Sequence, residues 1–121
     1  MNLKRVIITG LGAFTPIGNN VNDYWNSLIN GKNGCNLIKS FDTTNFKTKF
    51  ACEIKNYDQN LFFSKKEKHK LDLCTQYGII ASEEAIIDSG LKLYNKNKNR
   101  IGVIWGSGLG GILTFEHETF N

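Results

Sequence analysis

The chain has 121 residues with a formal net charge of +4, 40% hydrophobic and 21% charged residues, a globular mixture that excludes a disordered or low-complexity chain. Thirteen of the fifteen basic residues are lysines, Arg5 and Arg100 being the exceptions; without arginine clusters or interleaved aromatics, a nucleic-acid reader is not expected. No apolar run approaches the length of a membrane span, and the three cysteines, Cys35, Cys52 and Cys74, have no CxxC spacing, so neither a disulfide framework nor a zinc site is indicated.

In chain order, residues 6–9 (VIIT) are β-branched and apolar and predict a buried strand bounded by Gly10 and Gly12. The charged start MNLKR lacks the apolar core of a secretory signal, so a cytoplasmic location is expected. The GLGAFTPIGNN stretch is turn-rich, and Asn20 with Asp23 predicts a helix start. Trp25, Leu28 and Ile29 then supply an apolar face, with Gly31 as the residue beyond the helix end. Residues 31–49 are polar and weakly periodic and predict a loop-rich excursion, followed by a short strand within 50–54.

Ser64 and Glu67 have the S-x-x-E form of a capping box and predict a second helix start. From residue 71 to 88, Cys74, Gly78, Ala81 and Ala85 recur at helical spacing before Gly90, which predicts a helix packed closely against its neighbours. Residues 101–105 (IGVIW) predict another buried strand, leading into GSGLGG and a helix-like ILTFEHETF. This alternation of strands and helices predicts an α/β protein, and the last segment carries no helix-end signal, as expected of an incomplete fold.

Gly106, Gly108 and Gly111 satisfy G-x-G-x-x-G between a predicted strand and a predicted helix. One reading is a dinucleotide-binding oxidoreductase holding a pyrophosphate on backbone amides. The acidic residue that should follow about 20 positions later falls outside the chain. The other reading is a strand-to-helix turn that needs positive φ and close packing.

Four blocks carry a further signal: VIITGLGAFTPIGNNV, FDTTNFKTKFA, KKEKHKLDLCTQYGIIASEEAIIDSGL and RIGVIWGSGLGG. In order and spacing they resemble the β-ketoacyl-acyl-carrier-protein synthase II family, and the resemblance covers essentially the whole chain. It implies the N-terminal part of a thiolase-like layered αβαβα fold, and residues 1–121 are expected to be that part of the synthase domain, ending before the catalytic cysteine. The implied activity is fatty-acid condensation. An acyl group passes from acyl carrier protein to a cysteine, a malonyl thioester is decarboxylated, and the resulting carbanion joins the acyl group.

The implied chemistry needs an activated thiolate, two histidines and an oxyanion hole. In the family the nucleophile lies in a Thr-Ala-Cys motif downstream of the blocks present here, with both histidines further on. No residue of this chain is therefore assigned as catalytic, and Cys74 is expected to be a packing thiol. His69 and His117 are not the family pair. The resemblance places Leu109 at the end of the acyl-binding pocket, where Ile is common. It places Lys66, His69 and Lys70 where the acidic carrier protein docks; the family often has Arg in place of His69. A solvated helix face is the plainer account of that cluster. The resemblance further implies a cytoplasmic homodimer with acyl carrier protein as partner, without a metal or cofactor. A non-catalytic truncated product, or another condensing enzyme of the same fold, stays open at this point.

Overall fold

The computed structural model describes residues 4–92 and 97–120. Its longest element is helix α3, Leu73–Asp88, preceded by α1, Val21–Ile29, and the single-turn α2, Lys65–Lys68, and followed by α4, Ile112–Phe120. Two short strands, β1 (Asn36–Leu37) and β2 (Phe50–Ala51), pair antiparallel.

Local chemistry sets most of the helix ends. The Asn20 side chain accepts from the Asp23 backbone N–H at 2.8 Å, and Gly31 takes the left-handed φ of 61° beyond α1, where a side chain would be strained. Ser64 and Glu67 form the reciprocal capping box at α2. Asp72 caps α3 by accepting from the Cys74 N–H at 2.8 Å, and Gly90 closes it at φ 64°.

The small-residue face of α3 receives the N-terminal segment. A Cβ on Gly12 would lie 1.8 Å from the Ala81 carbonyl oxygen, and one on Gly10 would lie 2.2 Å from that of Ala85. Only glycine permits this approach. It brings the segment's N–H groups to acidic side chains of α3. Leu11 donates to Asp88 Oδ2 at 2.9 Å and Ala13 donates to Glu84 Oε2 at 2.8 Å. The second Glu84 oxygen accepts from Val21 N–H at 2.8 Å, so one carboxylate ties the first residue of α1 to the N-terminal segment. On the same helix, Gly78 leaves room for the Trp105 ring, which a Cβ would approach to 2.7 Å.

Two expectations are corrected. Residues 6–9 and 101–105 carry no strand pairing among the described residues; Val103 is 89% and Ile104 100% exposed. A strand needs a neighbour to take up its backbone groups, and neither segment pairs with a described strand. In α1 the buried residue is Ser27, while Trp25, Leu28 and Ile29 of the predicted apolar face are exposed. The predicted excursion over 31–49 contains β1, and of the strand expected within 50–54 only Phe50 and Ala51 pair.

Candidate functional site

The N-terminal end of α3 is fixed from both sides. Gln76, only 1% exposed, donates from Nε2 to the Leu71 carbonyl at 2.8 Å and accepts from the Tyr57 hydroxyl at 2.5 Å. Tyr57 in turn belongs to an aromatic cluster with Phe14, Phe62 and Tyr77, whose ring centroids lie 5.2–6.2 Å apart, mostly edge to face. Such pairs add to the area they bury. Burial pushes the Tyr57 and Tyr77 hydroxyls above the ordinary phenol range, with the neighbouring Asp72 charge a second cause at Tyr77.

Asp72 joins α3 to the glycine turn. Besides capping α3, its Oδ2 accepts from the Thr114 hydroxyl of α4 at 2.5 Å. The Thr114 bond and then the contacts from Cys74 hold its carboxyl below the usual range. Gly110 abuts Cys74, since a Cβ there would lie 2.9 Å from the Cys74 sulfur. Gly111 takes φ 73° and turns the chain into α4.

Between α3, α4 and the segment after α2 lies an open groove of about 700 Å³, lined among others by Lys68, His69, Lys70, Cys74, Leu109 and His117. The structure thus brings His69 and Lys70 to the same groove as Leu109 and leaves Lys66 outside its lining. Leu109 is 85% exposed and forms part of the groove rim, not of a core. Helix α2 ends at Lys68, with His69 as its C-cap in the right-handed helical region. The turn tightens there: the N–H groups of Lys70 and Leu71 both donate to the Glu67 carbonyl, at 2.9 and 3.0 Å. The Lys68 ammonium donates to Asn60 Oδ1.

Asp72, Gln76 and Glu84 are functional positions that sequence reasoning missed. Asp72 carried a legible signal, an Asp immediately before an apolar helical run, which the stronger capping box at Ser64 overshadowed. Glu84 had none, because Ala13 and Val21 lie far away in sequence, and neither did the pairing of Gln76 with Tyr57. No group of three or more His, Cys, Asp or Glu that would hold a metal ion occurs among the described residues.

Compared with known proteins, residues 3–120 match the family model described as beta-ketoacyl synthase, N-terminal domain. The chain is 46% identical over 116 residues to the 3-oxoacyl-acyl-carrier-protein synthase 2 of Vibrio cholerae, covering 96% of this chain and 28% of that protein. It is 40% identical over 115 residues to the synthase 2 of Synechocystis, covering 95% and 28%. Against the synthase 2 of Staphylococcus aureus it is 43% identical over 113 residues, covering 93% and 27%. Among solved structures it resembles the ishigamide ketosynthase/chain length factor with a TM-score of 0.64 and 27% identity, over 79% of this chain and 23% of that one. The chain therefore spans about a quarter of the length of these relatives, and its αβ fold is that of part of a ketosynthase. The glycine turn over residues 106–111 falls within the family match, which leaves the dinucleotide-binding reading without support of its own.

Proposed function

The chain belongs to the β-ketoacyl synthase family, and from that premise we propose that it forms the N-terminal part of an enzyme that condenses an acyl thioester with malonyl-acyl carrier protein in fatty-acid synthesis. The observation that carries the reading is the unbroken similarity, 46% over 116 residues, to a 3-oxoacyl-acyl-carrier-protein synthase 2.

In this reading the nucleophilic cysteine and both assisting histidines lie outside residues 1–121. Two of the three cysteines present support it. Cys74 is packed against the Gly110 turn, and partial burial, with Cys52 as the next cause, pushes the Cys35 thiol above its ordinary value. That is the opposite of the activation a thiolate nucleophile needs.

Leu109 is the proposed contact for the far end of the acyl chain, and Lys66, His69 and Lys70 the docking contacts for an acidic carrier protein. All four side chains are exposed. Complementary charge at such a surface mainly raises the association rate. The complete enzyme is proposed to act as a cytoplasmic homodimer without a cofactor; among the described residues no helix is long and apolar enough to cross a membrane.

Labelled acyl-acyl carrier protein tests the reading. Incubation with the 121-residue chain leaves no acyl group on Cys35, Cys52 or Cys74. Specific acylation of any of the three would sink the assignment.

A further inference from the structure

The two short strands bring a pair of thiols face to face. With Asn36 opposite Ala51 and Leu37 opposite Phe50, the antiparallel register sets Cys35 opposite Cys52 at the next rung. Rungs of such a ladder alternate between hydrogen-bonded and non-hydrogen-bonded pairs. The Ile38 N–H donates to the Lys49 carbonyl at 3.0 Å, which makes 38 and 49 a hydrogen-bonded pair. Residues 36 and 51 are the next of that kind, so 35 and 52 fall in the other set. There the Cα atoms approach to about 4.5 Å and the side chains lie closest, inside the Cα separation of roughly 4.4–6.8 Å that a disulfide accepts.

Both cysteines are free, and Cys52 is close enough to be one of the causes that raise the Cys35 thiol above its ordinary value. The base of the hairpin is seated as well. Gly34 packs against Pro16 and Ile17, and the Lys55 carbonyl accepts from the Asn19 side chain at 2.9 Å. Cys74 stands apart, on α3 against Gly110.

We propose that Cys35 and Cys52 form a reversible intramolecular disulfide, made by exchange with a low-molecular-weight disulfide, that locks the β1–β2 hairpin in register. The exposed Cys52 attacks first, as thiolate, on one sulfur of the small disulfide. This forms a mixed disulfide and expels one small thiolate. Cys35 then loses its proton to solvent and attacks the Cys52 sulfur, forming the protein disulfide and expelling the second small thiolate. The two cysteines together lose two hydrogens, and the small disulfide is reduced to two thiols. Attack by Cys52 first follows from exposure, since burial holds Cys35 more in its thiol form. A ladder of two paired rungs specifies register weakly, so a covalent rung changes how the segment between the strands is held. In a reducing compartment such a bond is transient and serves redox sensing.

The test is incubation of the native chain with glutathione disulfide, alkylation of the remaining thiols, and peptide mapping by mass spectrometry, with and without urea. The expected product is lighter by two hydrogens before alkylation. It carries a Cys35–Cys52 cross-link with Cys74 alkylated, and dithiothreitol reverses it. Cys74→Ser gives the same cross-link, and Cys35→Ser leaves a mixed disulfide on Cys52. Stable mixed disulfides on both Cys35 and Cys52, or a native cross-link through Cys74, would overturn the proposal. So would equal formation of the Cys35–Cys52 bond in urea, because proximity in sequence rather than ladder geometry would then explain it.

Discussion

Two regions of this chain are rich in apolar residues and end in different states. Around α3, the segment at residues 10–14, the start of α1 and the Tyr57–Phe62 aromatics meet in close contact, and the buried Gln76 pairs with Tyr57 and Leu71 while the half-buried Glu84 pairs with Ala13 and Val21. At residues 101–105 the apolar side chains face solvent apart from Trp105, which reaches Gly78. The contrast shows where the stability of this chain resides. Helices satisfy their own backbone and need only one face covered, and glycines and acidic side chains supply that cover around α3. A lone strand-like segment satisfies nothing by itself.

The largest expected effect separates the two regions through their glycines. Gly12→Ala drives a methyl group into the Ala81 backbone and should destabilise the chain by about 3 kcal/mol, the upper end of overpacking costs. Gly108→Ala, in open space, should stay within about 0.5 kcal/mol. Urea midpoints of the two variants check this; equal losses would erase the distinction between the regions.

A smaller loss is expected from Glu84→Gln. The two carboxylate oxygens accept from two different backbone N–H groups, and an amide offers only one oxygen and turns an NH₂ toward a donor. Loss of one hydrogen bond to a charged group costs about 2 kcal/mol. Loosening should appear in amide exchange at Ala13 or Val21 before it reaches α3.

The smallest effect is at the seam between the regions. Asp72→Ala removes a helix cap, a loss of about 1 kcal/mol, together with the tie to Thr114. The carboxyl is held low chiefly by Thr114. Its contribution is therefore complete above the ordinary aspartate value of about 3.9 and is lost as pH falls through its lower folded value. Exchange of the α4 amides in wild type should thus be insensitive to loss of this tie above that range and increase below it, beyond the intrinsic pH trend. In Asp72→Ala the acid-dependent component should vanish.

How legible each part was follows from the range of the forces involved. Asn20, Gly31, Ser64, Glu67 and Gly90 announced their helix ends because capping acts within a few residues, and the structure has all of them in those roles. The small-residue face of α3 was legible from its spacing, though not its occupant: nothing local tells that Gly10 and Gly12 lie on Ala85 and Ala81. Residues 6–9 and 101–105 read as strands because alternation and β-branching describe a residue's fitness for a sheet, not the presence of a neighbour. The groove residues were partly legible. His69, Lys70 and Leu109 do line one groove, and Lys66 is not among its lining residues.

Amide hydrogen exchange of the chain at neutral pH, resolved by residue, tests the contrast most directly. The amides of residues 76–88 should be protected, and those of residues 102–104 should exchange at rates near those of an unstructured peptide. Protection of residues 102–104 equal to that of α3 would contradict the account, because it would mean that the segment has found a strand partner.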